Sequence, residues 1–417
     1  MSGILEFLRG CVRQVLSGGK YYKAWVAFLG LMILVGLVSY AQQARGGLIV
    51  TNMRDEVSWA FYIGNFTFLV GVAAAAVLLV IPAYVYHWKP IKEVVVLGEL
   101  LAISALIMCL LFILVDMGRP DRFLHIMPIL GTPNWPRSML TWDALVLNGY
   151  LLVNVVLVSY LLFKTYRGES YDKRIFLPLV LLSIPVSLST HTVTAFLYNG
   201  LAARPYWNSS ILAPQFLASA FCSGPAILLV VLQLLRRVTS FRIPDEAIWK
   251  IAELMAYAMF LNLFLHGAEA FKEFYSNTHH LLFTRYWYFG VGGHHKLVPY
   301  AWSAVALNVA AFALFISPKT RRNFLLLNIG CLATYAGVYI EKGMGLIIPG
   351  LTPDTLGEIY EYYPTITELR VAAGIFAVGF LVFTLMLKVA VPISLGEFMD
   401  KNEVAHAVPE VDAPVTA

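Results

Sequence analysis

The chain has 417 residues, of which 59% are hydrophobic and 13% charged, with a formal net charge of +5. A soluble domain carries about 25% charged residues, and a mean hydropathy of +0.71 excludes a water-soluble globule. The composition is that of an all-α polytopic membrane protein.

A helix needs about 20 apolar residues to cross roughly 30 Å of hydrocarbon. Ahead of the first such run, Ile4–Leu16 has amphipathic spacing and carries Arg9 and Arg13. It reads as an interfacial helix and not a cleaved leader, because no small-residue cleavage site follows. Residues 1–22 are then an interfacial or cytoplasmic segment. Ten apolar runs follow: Val26–Tyr40, Phe66–Tyr86, Val94–Val115, Ala144–Phe163, Phe176–Leu197, Ile211–Leu235, Ile251–Phe274, Val298–Ile316, Phe324–Ile348 and Val371–Leu387. Backbone groups in lipid must find partners within the segment, and the strict alternation of barrel strands is absent, so the runs predict ten transmembrane helices. The integral membrane domain spans 23–397, and the polar stretch 398–417 is a loose tail.

When the loops are alternated across the membrane, the N-terminus, the even-numbered loops and the C-terminus hold most of the 30 lysines and arginines. Lys164, Arg167, Lys173 and Arg174, then Arg236, Arg237 and Arg242, then Lys319, Arg321 and Arg322 sit in short connections, where the bias is most telling. Both termini are expected in the cytoplasm. The odd loops, with Trp135, Trp142, Trp207, Tyr286, Trp287 and Tyr288, then face outward, and their aromatics read as an interface belt. Cys109, Cys222 and Cys331 lie in apolar runs and Cys11 near the start. With no CxxC pair there is no expected iron–sulfur or structural zinc site, and metal clusters would belong to a partner.

An internal echo links the two halves. Trp142-Asp143-Ala144-Leu145-Val146-Leu147-Asn148 resembles Trp302-Ser303-Ala304-Val305-Ala306-Leu307-Asn308, and Phe68-Leu69-Val70-Gly71 aligns with Phe221-Cys222-Ser223-Gly224, bringing Glu99 onto Glu253. Helices two to five (58–200) and six to nine (211–348) are thus expected to form two parallel-repeat four-helix bundles about a pseudo-twofold axis along the membrane normal, flanked by helices one and ten.

Charge inside a membrane span is expensive and therefore informative. Asp116-Met117-Gly118-Arg119-Pro120-Asp121-Arg122-Phe123 closes the third run with two acids and two arginines. At the same expected depth lie His125, Asp143, His191, the one-face set His266, Glu269 and Glu273, and Glu341 with Lys342. They read as one wet, proton-exchanging surface, whereas snorkelling to headgroups suits Asp121, Glu273 and Lys342. His191 is too deep for snorkelling, which leaves a functional group or a buried histidine bonded to a neighbouring helix. Glu99 and Glu253 lie near the opposite ends, about 26 Å and 24 Å along their helices from Asp116 and Glu269. Asn148, Asn154, Ser189, Thr190, Tyr257 and Asn262 lie between, serving either a proton wire through Glu99, Glu253, His266 and Glu269 or plain interhelical bonding. The His279-His280 and His294-His295 loop reads as a partner-docking surface in preference to a metal site, since no carboxylate or cysteine completes it.

These residues carry a resemblance. Asp116–Phe123 with His125, followed by Thr141-Trp142-Asp143, resembles the signature of the polysulfide-reductase membrane-subunit (NrfD-like) family. His191-Thr192-Val193-Thr194-Ala195-Phe196, Arg204-Pro205-Tyr206-Trp207, Ile211–Phe216 and Ser219–Pro225 resemble its ten-helix branch, nearest the quinone-reactive DsrP-type subunit of the Dsr membrane complex. The likeness runs from about Trp59 to Leu387.

It implies a haem-free subunit of a respiratory oxidoreductase in a prokaryotic cytoplasmic membrane. Such a subunit exchanges electrons between menaquinone, or another quinone, and a periplasmic ferredoxin-like iron–sulfur partner. Cytochrome b and cytochrome c subunits would complete the complex, with a role in sulfur or sulfate metabolism and a proton-translocation option. Membrane lipids surround it, and nucleic acid is not an expected partner. Carried onto this chain, Asp116, His191 and Asp143 are the catalytic candidates, and Arg119, His125 and Tyr198 join them in quinone binding. Arg119 is expected to hold Asp116 ionised. The missing Gly-Arg-Pro and the Ser303 in place of Asp143 leave quinone to the first bundle. Hydrogenase-type or Qrc-type membrane subunits are the nearest alternatives. A di-haem cytochrome b needs facing histidine pairs at two depths, and a secondary transporter typically has inverted repeats, so both fit less well.

Overall fold

The computed structural model describes residues 2–86, 88–92, 94–126 and 130–399. Ten helices in it are long and apolar enough to cross a membrane: α1 (Lys20–Gly46), α2 (Phe61–Tyr84), α3 (Val95–Asp116), α4 (Met139–Tyr166), α5 (Lys173–Asn199), α6 (Leu212–Val238), α7 (Asp245–Ser276), α8 (Val298–Ile316), α9 (Phe324–Leu351) and α10 (Ile366–Ser394). The all-α class with ten spans holds as expected. Most helices overrun their apolar runs, because polar residues finish them. Side chains of Ser138, Asp172 and Asn323 cap the N-termini of α4, α5 and α9, and Thr365 with Glu368 forms a reciprocal capping box on α10. The amphipathic start is a helix, Ser2–Leu16, whose Phe7 packs on Phe163 and Tyr166 of α4. The tail, from residue 400 on, lies outside the described residues.

Contacts sort the helices into two rings. α2, α3, α4 and α5 touch in succession and α5 closes back on α2, while α6, α7, α8 and α9 do the same with α9 closing on α6. α10 packs on α1 and α3, and α2 meets α6 and α9 where the rings join. Its position makes α2 the most enclosed span, 83% buried over its apolar window against 17% for α1.

Small residues set these distances, as expected where lipid supplies no drive for helices to associate. A Cβ on Gly224 of α6 would lie 2.9 Å from Ala75 N and Val72 O of α2, and one on Gly71 would lie 3.2 Å from Ser223 Oγ of α6. The two glycines aligned by the sequence echo thus sit on the same seam. Gly36 of α1 and Gly374 of α10 are back to back, where a Cβ on either would stand 2.7 Å from the other's Cα.

The aromatic-belt reading needs correction. Trp207, Tyr286 and Trp287 are buried. Trp207 Nε1 donates to Leu346 O at 2.8 Å, its ring lies against Gly350, and Arg204 donates to Leu351 O at 2.9 Å. The loop after α5 folds inward over the end of α9, so its aromatics seal that end instead of meeting lipid. Trp135 remains exposed.

Replacing Gly224 with Leu forces overpacking at the seam and should cost about 1–3 kcal/mol. It should appear as a lower melting temperature in detergent, while Gly30→Leu, with nothing within 4 Å of its Cβ position, should melt as wild type.

Candidate functional site: a carboxylate-lined cavity at the end of α3

Beyond Glu99, α3 carries no further charge until Asp116, its last residue. The chain then turns through a short helix, Pro120–Ile126, before Ser138 starts α4. Between the end of α3, the start of α4 and the start of α2 lies a cavity of about 420 Å³. Trp59, Ile63, Phe66, Leu110, Ile113 and Phe123 supply an apolar wall, Asp116 and Asp143 are its carboxylates and Arg122 its cation. Leu140, which also lines it, is 47% exposed, so the cavity reaches the outer surface of the bundle beside α4. A concave, largely apolar space of this size with a few convergent polar groups suits a small organic ligand.

The carboxylates are incompletely satisfied. Asp143 is 1% exposed; its Oδ1 is 2.6 Å from Thr194 Oγ1 of α5, while Oδ2 is buried without a partner. Asp116 Oδ1 is likewise buried and unpartnered. Thr194 Oγ1 also lies 2.8 Å from Thr190 O. A hydroxyl has one proton to give. It goes to Asp143 when the acid is ionised, or to the Thr190 carbonyl when Asp143 is protonated and itself donates to Thr194. Thr194 therefore accommodates either state of Asp143 without moving.

The other expected residues are placed differently. His191, 1% exposed, is not part of the cavity lining. Its Nδ1 is 2.8 Å from Ser187 O. A carbonyl only accepts, so Nδ1 carries the proton and Nε2 is a bare acceptor, buried and unpartnered. Tyr198 is buried behind the wall, its hydroxyl on Thr67 Oγ1 and its ring edge-on to Trp59 at 5.9 Å. Arg119 is a correction to the expected pairing: its Nε and Nη2 donate to Asp121 at 3.0 and 2.9 Å, in solvent, and not to Asp116. That hydrogen bond holds the Asp121 carboxyl below its usual range. After α3 the chain turns, and Arg119, Arg122 and His125 are all exposed there; of the three, Arg122 also lines the cavity.

Among the residues expected on a proton path, the two inner acids are not equivalent. Glu99 is 2% exposed with Oε1 unpartnered. Glu253 sits at the surface, where Tyr257 donates at 3.0 Å and Lys250 and Arg321 stand at 3.5 and 3.8 Å. His266 and Glu269 come together with Glu341 and Gln215: His266 Nε2 is 3.0 Å from Glu341 Oε1, and Gln215 Nε2 donates to Glu269 Oε2 at 2.6 Å. Lys342, read as snorkelling, is 4% exposed and donates to Phe216 O at 3.0 Å. It lies in a π-helical turn, Tyr339–Met344, and continues the side of α9 that already buries Cys331, Thr334 and Val338. The signal for Lys342 was its place beside Glu341 in an apolar run; Thr194, three residues from His191, carried none.

Comparison with known proteins gives the chain a family. Residues 49–353 match the family described as polysulphide reductase, NrfD. The chain is 28% identical to the membrane subunit of a putative dimethyl sulfoxide reductase of Halobacterium salinarum, over 89% of this chain and 92% of that protein. It is 22% identical to a selenate reductase subunit of Mesobacillus selenatarsenatis, over 88% and 93%. It is also 22% identical to an Hdr-like menaquinol oxidoreductase integral membrane subunit of Archaeoglobus fulgidus, over 88% and 92%. With the family match covering well over half its length, the chain belongs to the polysulphide reductase NrfD family.

Proposed function

We propose that this chain is the haem-free, quinone-reactive membrane subunit of a respiratory oxidoreductase complex. It exchanges electrons between a menaquinone pool and an iron–sulfur partner docked on the face where α3 and α5 end. The observation that carries this is the cavity beside α3 and α4, where two buried carboxyl oxygens, Asp116 Oδ1 and Asp143 Oδ2, have no partner within the chain. A bare buried acceptor is costly, and each is relieved by a hydroxyl donated from a ligand. The fit extends to the walls: Trp59, Phe66 and Phe123 suit a flat apolar ring, and the opening at Leu140 suits an isoprenoid tail leading into lipid.

A quinol, when bound, supplies two hydroxyl protons and two electrons. The chain's residues handle the protons. Asp143 accepts one, with Thr194 turning its own hydroxyl toward Thr190 O, so the charge change at Asp143 is absorbed by a rotation. Asp116 offers the second acceptor. Arg122 faces the same space as a fixed positive charge, balancing the carboxylates. His191, with its bare Nε2, stands deeper on α5 as a further acceptor. The relatives whose names are those of dimethyl sulfoxide reductase, selenate reductase and menaquinol oxidoreductase subunits support membrane electron transfer in a multi-subunit complex. The narrower version places this chain in a prokaryotic cytoplasmic membrane with both termini inside, beside cytochrome b and cytochrome c subunits in sulfur metabolism.

Asp143→Asn should lower quinol-dependent turnover of the purified complex by about 10²-fold while retaining binding of a naphthoquinone analogue; full turnover in that variant sinks the assignment. Arg122→Gln should raise KM for the quinol, whereas Arg119→Gln should stay near wild type. The reverse order would return the binding role to Arg119.

A further inference from the structure

A second titratable cluster lies in the other bundle, outside the cavity. His266 of α7 has its Nδ1 2.9 Å from Asn262 O. The carbonyl cannot donate, so Nδ1 is protonated, and Nε2 faces Glu341 Oε1 of α9 at 3.0 Å. Two lone pairs do not rest at that distance; a proton lies between them, whether the pair is imidazolium–carboxylate or imidazole–carboxylic acid. Asn262 Nδ2 and Asn308 Nδ2 also donate to Glu341, at 3.2 and 2.7 Å, while both amide oxygens stay buried and unpartnered. Both amides are thus aimed at the carboxyl at the expense of their own acceptors. His191 is the opposite case: the same backbone bond fixes its tautomer, and its Nε2 is empty.

His266 stands on two small voids at once. One is a cleft at the α7 end with Glu269, Glu273 and Tyr288 on its walls; the other is an inner space shared with Gln215, Glu341 and Lys342. Lys342 points away from Glu341 toward the seam, its Nζ 3.3 Å from where a Cβ on Gly71 of α2 would be, and His191 lies beside the Val70 carbonyl of the same turn. Because Gly71 has no side chain, the ammonium reaches α2 itself. The titratable groups bearing on the His266–Glu341 pair are Lys342 of α9, Glu269 of α7, Cys222 of α6 and the loop tyrosines Tyr206 and Tyr288.

We propose that His266 and Glu341 hold one exchangeable proton inside the second bundle, open to the surface through the Glu269–Glu273 cleft. Lys342 connects this store across Gly71 to His191, making it an outlet for protons released in the first bundle. The store stands on the geometry of the pair alone; the coupling rests on the quinone reading above. In the coupled step a quinol loses two electrons to the iron–sulfur acceptor and two protons to the chain. One of these protons passes by way of His191 and Lys342 to the pair, and the proton already there leaves through Glu269; the other is taken by Asp116 and leaves from the cavity directly, so two protons enter the chain and two leave it.

Infrared difference spectra of the purified complex in lipid nanodiscs test this, first on a pH jump without quinol, then on reduction by a short-chain naphthoquinol with ferricyanide as acceptor. The wild type should show a deuterium-sensitive carboxyl band in both experiments, absent in Glu341→Gln and restored in Glu341→Asp. Lys342→Met should keep the pH-jump band but lose it on reduction, with turnover lowered about 10²-fold, a changed pH profile and unaltered naphthoquinone binding. A pH-jump band that survives Glu341→Gln overturns the store, and wild-type turnover in Lys342→Met overturns the coupling. If the wild type binds no naphthoquinol at all, the quinone reading fails, while the pH-jump band still decides the store.

Discussion

A polar atom enclosed by this bundle has no water to fall back on, and that constraint organises the whole molecule. The common solution is local. Thr67 bonds to Ile63 O, Ser104 to Leu100 O, Asn148 to Ala144 O, Asn154 to Tyr150 O and Ser223 to Ser219 O, each one turn back on its own helix. Such groups are spent. The same holds for Thr190, on Val186 O, so most polar residues that a proton wire through the first bundle would need are committed to their own backbones. Against that background the atoms left bare are conspicuous, and among the described residues of the first bundle they are the Ser187 hydroxyl and four acceptors: Glu99 Oε1, Asp116 Oδ1, Asp143 Oδ2 and His191 Nε2.

The two bundles therefore differ at their central groups. In the first, acids and a histidine keep bare acceptors; in the second, Glu341 takes two amide N–H donors and shares a proton with His266, which is bonded at both ring nitrogens, while Glu273 Oε2 and the Asn262 and Asn308 amide oxygens stay bare. The difference does not come from the amount of polar sequence, which is similar in the two halves. It follows from which residues share a layer: Asp143 meets a hydroxyl that can turn either way, whereas Glu341 meets two amides and an imidazole.

Sequence alone reached the fold class and the number of spans. Both follow from a property that is linear in the chain, apolar run length. The site was legible in part. Asp116 and Asp143 stand out as acids next to apolar runs, and both line the cavity. Arg119 and Arg122 could not be told apart, because their roles depend on the direction of a turn that no periodicity encodes. Trp207 passed for a lipid-facing aromatic because the fold of its loop over α9 is a contact between residues far apart in sequence. Lys342 passed for a snorkelling lysine because a cation near the end of an apolar run reads that way, although it follows Thr334 and Val338 at helical spacing and shares their burial.

The seam between the bundles draws these observations together. α2 is the most enclosed of the ten spans, and it is also interrupted: its regular part ends at Ala73, and a π-helical turn carrying Pro82 finishes it. A central helix that must let α6 approach to within a Cβ of its backbone at Val72 and Ala75 has no room for large side chains there, so Gly71, Ala73, Ala74, Ala75 and Ala76 follow in near succession. Those small residues shorten the distance between the two sets of titratable groups. With no side chain on Gly71, Lys342 Nζ comes within 3.3 Å of its Cβ position, and His191 lies beside the Val70 carbonyl of the same turn. The tight packing that holds the bundles together is thus the same feature that brings their buried bases near each other.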